Sequence, residues 1–90
     1  MARPRAPGPR ADQATPTQVQ GQYLAYIHSY TKLHGVAPAE ADLQGYFRVT
    51  PPTVHDMILT LERRGFISRL PRQSRSIRVL VDPEALPPLL

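Results

Sequence analysis

The chain has 90 residues, a formal net charge of +4 and no cysteine. This length suits one small domain, and the lack of cysteine excludes disulfides and thiolate metal sites. Its apolar runs are too short to span a membrane and its start lacks the apolar stretch of a signal peptide, so we expect a cytoplasmic protein.

Arginine supplies nearly all of the positive charge, because Lys32 is the only lysine among the 11 basic residues. Positions 63 to 78 hold six of these arginines and no carboxylate. A guanidinium group binds phosphate through paired hydrogen bonds, so this local excess favours a nucleic-acid ligand. An arginine-rich solvated surface without a ligand is the alternative interpretation.

The first 14 residues are rich in proline and arginine and have almost nothing to bury, which predicts a flexible basic arm. Such an arm either enters a minor groove or stays an idle tail. Thr15 then opens a predicted capping box, with Pro16 in the first helical position and Gln18 reaching back. An apolar stripe predicts an amphipathic helix from here to Gly35. The stripe consists of Val19, Tyr23, Tyr26, Ile27, Tyr30 and Leu33.

Two shorter helices are predicted next. Residues 39–47 form the first, with Leu43 and Phe47 inward and Asp42 compensating for a poor cap through the helix dipole. The second begins at Thr50, whose hydroxyl is expected to cap a helix that carries two prolines in its first turn. It runs to about Arg64, buries one apolar face and stops at Gly65. The buried face consists of Val54, Ile58 and Leu61.

Downstream of Gly65 the apolar period changes from 3.6 to 2. Residues 66–70 and 77–81 are predicted as strands, joined by the polar loop 71–76. Three helices followed by a hairpin predict a mainly α, winged helix-turn-helix domain over residues 15–81. Residues 82–90 form an apolar tail that either packs on the domain or supplies a dimer contact. The arginine-rich stretch falls on the end of the third helix and on the wing.

These segments resemble the N-terminal DNA-binding domain of the LexA repressor family over roughly residues 15–81. Each matching piece is short, and their joint order and spacing carries the resemblance. The pieces are Thr15 to Gln18, Tyr26-Ile27, His34 to Pro38, Pro52 to His55, Leu59 to Ile67 and Arg75 to Arg78.

The resemblance implies sequence-specific binding of double-stranded DNA by a repressor-like regulator, without cofactor, metal or small-molecule substrate. The third helix would lie in the major groove and the wing against the backbone. Carried onto this chain, the base-reading residues are Thr50, Pro52, Thr53, His55 and Asp56. The phosphate-binding arginines are expected to be Arg63, Arg64, Arg69, Arg72 and Arg75, although Arg69 and Arg78 could instead brace the hairpin.

The chain also departs from the family pattern. Pro52 stands where family members often carry serine or asparagine, so one hydrogen-bonding contact to a base is lost. The turn before the third helix is about one residue shorter and lacks the frequent glycine. LexA repressors carry a self-cleaving peptidase domain with a serine and lysine pair. Here Lys32 lies in the first helix and the sequence stops at Leu90, so we expect a stand-alone domain that is not an enzyme.

The sequence also allows other functions and binding sites. A winged helix can bind a partner protein without binding DNA. The tyrosines of the first helix could stack on single strands, although core positions suit their helical spacing better. His28 and His34 are six residues apart, a poor spacing for a shared metal. A homodimer on a palindromic site is expected, because one module reads few base pairs.

Overall fold

A computed structural model describes residues 15–90, so the expected basic arm lies outside the described residues. Three helices are followed by two short strands and a 3₁₀ turn. They are α1 (Gln18–His34), α2 (Glu40–Phe47), α3 (Pro51–Arg63), β1 (Ile67–Ser68), β2 (Arg78–Val79) and the 3₁₀ turn Pro83–Ala85. This confirms the predicted winged helix-turn-helix. None of the helices within residues 15–90 is both long and apolar enough to cross a bilayer.

The start of α1 differs from the prediction. The N-cap is Thr17 and not Thr15: the Thr17 hydroxyl accepts from the Gln20 amide at 3.1 Å, and Gln20 Oε1 accepts from the Thr17 amide at 3.0 Å. Both threonines have a glutamine three residues later, Gln18 for Thr15 and Gln20 for Thr17, so the local pattern does not select between them. Gly35 ends α1 at φ 79° as predicted.

The buried face of α1 is also shifted from the predicted stripe. Tyr23 and Ile27 are buried, but Leu24 takes the central position at 0% exposure. Val19 and Leu33, placed inward by the sequence pattern, are 58% and 80% exposed. They lie near the two ends of α1, and Val19 borders an open groove with Phe47 and Leu90.

The core lies where the three helices and the hairpin meet. Leu43 of α2 and the predicted inner face of α3 are fully buried. The Tyr23 ring stacks on Phe47 with centroids 4.1 Å apart, which joins α1 to the end of α2. The core residues are Tyr23, Leu24, Ile27, Ala37, Leu43, Val54, Ile58, Leu61, Phe66, Ile67 and Ile77.

The hairpin ladder is shorter than predicted. β1 and β2 pair antiparallel with Ile67 opposite Val79, and the Leu80 amide donates to the Phe66 carbonyl at 2.9 Å. The predicted pairing to position 70 fails because the Leu70 amide donates to the Ser76 hydroxyl at 2.9 Å instead of to a strand. The arginine-rich segment is therefore a loop closed by the Ser76 side chain. We call this loop and the two strands together the wing (residues 66–81).

The C-terminal segment packs on α1 and α2. The Asp82 side chain caps the 3₁₀ turn at the Glu84 amide. The Gln22 side chain then contacts the tail twice, donating to the Pro88 carbonyl at 2.9 Å and accepting from the Leu90 amide at 2.8 Å. Gly21 is needed here, because a Cβ would lie 3.0 Å from Pro87 Cγ.

Candidate nucleic-acid interface

The first half of α3 is exposed on every side except the one that faces the core. Val54 and Ile58 are fully buried and fix the rotation of the helix. All five residues expected to read bases are exposed. They are Thr50, Pro52, Thr53, His55 and Asp56.

The first turn of α3 has an unusual polar arrangement. Thr50 occupies the N-cap position as predicted, but its hydroxyl makes no capping bond. It lies 2.9 Å from the Thr53 hydroxyl instead. An N-cap side chain accepts from the second or third helical amide, and Pro52 in the second position has no amide proton to donate. The capping prediction for Thr50 is therefore wrong, and the two hydroxyls form an exposed pair at the tip of the helix.

His55 has a neighbour that the sequence did not indicate. Its Nδ1 lies 3.5 Å from Oε2 of Glu40, which is the first residue of α2. Both side chains are accessible, at 52% for His55 and 36% for Glu40. The Glu40 carboxylate therefore lies beside Nδ1 of an exposed histidine ring.

A cleft of about 610 Å³ separates α3 from the wing. His55 and Glu40 line its helical side, and Arg72 with its loop neighbours lines the other. The fold thus brings one end of α3 and the arginine-rich loop to opposite walls of one groove.

Two of the five arginines expected to bind phosphate have guanidinium groups directed to solvent. Arg72 is exposed at φ 60° and has no hydrogen bond or ion pair to any of residues 15–90. Arg63 is exposed and reaches only the Thr60 hydroxyl on its own helix, at 3.3 Å. Arg63 follows Asp56 by seven residues, so it lies on the same face of α3 about 10 Å further along.

Arg64 and Arg69 are held inside the domain. Arg64 donates to the Gln20 side chain at 2.7 Å, and its guanidinium carbon lies 4.9 Å from the centre of the Phe66 ring. Arg69 donates to Glu62 at 3.1 Å with only 20% of its side chain exposed. These contacts brace α3 against α1 and the hairpin. For Arg69 they favour a role in bracing the hairpin over a role in binding phosphate.

Arg75 also lines the cleft, and its guanidinium group contacts the helices. Its Nη1 donates to the Tyr30 hydroxyl at 3.1 Å and the Ala37 carbonyl at 3.3 Å, and lies 3.2 Å from Asp42 Oδ2. Hydrogen bonding to Tyr30 raises the pKa of the Arg75 guanidinium, and Asp42 adds a smaller increase. The group is therefore the charged centre of a contact that joins the wing to both α1 and the start of α2.

Sequence reasoning missed two features of this surface. Glu40 was not associated with His55, because 15 positions separate them and only the packing of α2 on α3 brings them together. Arg48 was overlooked too: it is exposed at φ 57° in the turn that leads into α3. Its position beside Thr50 could have indicated it. Among residues 15–90, no three histidine, aspartate or glutamate side chains converge as a metal site would require.

Comparison with known proteins places this geometry in context. Residues 14–76 match the family model of the LexA DNA binding domain. The chain is 37% identical over 70 residues to the LexA repressor of Thermosipho africanus, and 33% identical over 70 residues to that of Thermosipho melanesiensis. In both cases the match covers 78% of this chain and 35% of the relative. The chain therefore spans about a third of the length of these relatives.

Proposed function

The chain belongs to the LexA DNA-binding domain family, and we propose that it acts as a repressor-like regulator by occupying specific sites on double-stranded DNA. In this proposal α3 enters the major groove and the wing lies along the phosphate backbone. The observation that supports it best is the shared cleft, which has His55 of α3 on one wall and Arg72 on the other.

We propose that bases are read from the tip and outer face of α3. The Thr50 and Thr53 hydroxyls can donate or accept at base edges, and the threonine methyl groups can contact thymine. His55 can donate to guanine or to a phosphate, and Asp56 can accept from cytosine N4. Pro52 brings no hydrogen bond and offers an apolar contact only. The operator is therefore expected to differ from that of relatives with serine or asparagine at this position.

Phosphate contacts are proposed for Arg63 and Arg72. Both are exposed, and they lie on the two elements that flank a groove in this docking mode. Arg64 and Arg69 are not proposed as phosphate contacts, because binding phosphate would require them to break their hydrogen bonds to Gln20 and Glu62. Arg75 is likewise not among the proposed phosphate contacts.

Two copies on a palindromic site are proposed as the form that regulates, since one recognition helix contacts only a few base pairs. The protein would then be associated with the nucleoid when bound. The Thermosipho relatives are named repressors, which supports repression over activation.

Selection of duplexes from a random library tests the proposal. The wild type should enrich one short motif, and repeats of this motif would give half-site number and spacing. Thr53→Ala should change the enriched base at one position, because it removes a hydroxyl and a methyl group from the reading face.

Arg72→Ala is the matched variant on the wing. Alanine at φ 60° bears the same left-handed backbone strain as arginine, so the substitution removes the charge without a new conformational preference. It should enrich the same motif, bind every duplex more weakly and reduce the slope of log affinity against log salt by about 0.9. If the wild type enriches no motif and shifts no duplex at low salt, the domain binds a protein partner instead and the proposal fails.

A further inference from the structure

We propose that Arg75 is a positioning residue of the DNA interface, which fastens the wing to the helices before DNA binds. This inference rests on the proposed function and goes beyond it, because it gives one arginine of the basic cluster a role other than charge neutralisation. Tyr30 and Asp42 are the helix-side partners of this clamp.

The contact geometry supports a clamp. A single nitrogen, Nη1 of Arg75, is within 3.3 Å of a hydroxyl, a backbone carbonyl and a carboxylate oxygen. These acceptors belong to α1, to the α1–α2 connection and to α2. One wing side chain thereby fixes the loop to three separate segments of the helical body.

The loop is also held by the side chain of the residue that follows Arg75. The Ser76 hydroxyl accepts from the Leu70 amide at 2.9 Å and donates toward the Gln73 carbonyl at 2.8 Å. These bonds close the loop on itself and make no contact with the helices. Without Arg75, the loop that carries Arg72 would be held by the Ser76 bonds alone. It would lose its fixed position relative to α3 and open more often.

Asp42 suits the role of an anchor because another bond already fixes it. Its Oδ2 accepts from the Ala39 amide at 2.8 Å, which closes the first turn of α2. A carboxylate that is already fixed loses little further freedom when it binds a guanidinium group. The wing is thus held at the same carboxylate that starts α2, whose first residue contacts His55.

A clamp and a direct phosphate contact predict opposite effects of neutralising Asp42. If Arg75 binds phosphate, Asp42 competes with DNA for the guanidinium, and Asp42→Asn should tighten binding. If Arg75 is a clamp, Asp42→Asn loosens the wing, and DNA must order it at a cost in affinity. Asparagine keeps an oxygen for the Ala39 amide, so the start of α2 is preserved.

The experiment measures duplex affinity and its salt dependence for Tyr30→Phe, Asp42→Asn and Arg75→Ala. We expect Tyr30→Phe and Asp42→Asn to bind about threefold to tenfold more weakly with an unchanged salt slope, since neither removes a phosphate contact. Glu84→Gln is the control: it makes the same charge change on an exposed residue of the 3₁₀ turn, and should bind as well as the wild type or slightly better.

Hydrogen exchange of the Gln73 amide, which donates to the Leu70 carbonyl at 3.2 Å, gives a readout without DNA. It should speed up in all three clamp variants and not in Glu84→Gln. The inference is overturned if Asp42→Asn and Tyr30→Phe bind as tightly as the wild type or more tightly. It is also overturned if the exchange rate is the same in every variant, even when no duplex binds. Failure of the wild type to bind any duplex, with exchange accelerated, would count against the proposed function and leave the anchoring of the wing intact.

Discussion

Neighbouring arginines at the end of α3 have different roles although the sequence presents them as one cluster. Successive helical residues are about 100° apart, so Arg63 continues the face of Asp56 while Arg64 turns toward α1. Arg64 contacts Gln20, the Thr15 carbonyl and the Phe66 ring. Among residues 15–90, the Arg63 side chain has a hydrogen bond to Thr60 only. The charge of Arg64 therefore stabilises the fold, whereas the charge of Arg63 is available to a ligand.

Arg64→Ala should lower the free energy of unfolding by about 1 to 2 kcal/mol. It removes a charged donor from Gln20 and uncovers one face of the Phe66 ring, and Arg64 is only half-buried, which limits the loss. Arg63→Ala is the matched control and should change the free energy of unfolding by no more than about 0.5 kcal/mol. Urea unfolding of both variants measures the difference, and equal values would contradict the bracing role of Arg64.

The sequence predicted the exposed face of α3 well and the partners of the arginines poorly. Val54, Ile58 and Leu61 share a helical period, which fixes which side of α3 faces the core whatever the rest of the chain does. The partners of Arg64 and Arg75 lie 44 and 45 positions away, at Gln20 and Tyr30. No local pattern connects such pairs, because their proximity follows only from how the hairpin and α3 pack against α1.

At the scale of elements, the two helices that begin with threonine start in physically different ways. Thr17 closes a reciprocal capping box on α1. Thr50 stands at the same position on α3, yet its hydroxyl pairs with Thr53 and caps nothing. The prolines after Thr50 preset the helical φ of the first turn, so α3 starts without a side-chain cap and leaves its hydroxyls exposed.

Thr17→Ala and Thr50→Ala should therefore have unequal effects on stability. We expect Thr17→Ala to lower the free energy of unfolding by about 1 kcal/mol, because the capping bond from the Gln20 amide is lost. Thr50→Ala should cost about 0.5 kcal/mol or less, because its exposed hydroxyl supports no backbone amide. Chemical denaturation of the pair checks this. A larger loss at Thr50 than at Thr17 would mean that its hydroxyl caps α3 after all.

Apolar periodicity predicted which segments are helices and which are strands, but it did not predict where they begin and end. The three helices and the hairpin were all predicted, since apolar spacing of 3.6 or 2 survives in each. The start of α1 was two residues too early, because Thr15 and Thr17 both precede a glutamine by three residues and only packing selects between them. The strands were predicted too long, because the Ser76 side chain replaces a backbone partner of Leu70.

At the scale of the whole molecule, the cleft and the C-terminal segment occupy separate parts of the surface. His55 of α3 and the arginine-rich loop line one cleft, while the C-terminal segment is held on α1 by Gln22 and on α2 by Tyr46. The cleft and the contacts of that segment share no residue. The side that is proposed to meet DNA is therefore separate from the one that carries the chain end, so a bound duplex should perturb the first and not the second.

Backbone amide chemical-shift mapping with a selected duplex tests this account most directly. The account predicts that the largest shifts fall on Thr53, His55 and Asp56 in α3 and on Arg72 and Gln73 in the wing. The amides of Gln22 and of residues 84–90 should remain nearly unchanged. Large shifts confined to α1 and the C-terminal segment, with α3 and the wing unaffected, would contradict it.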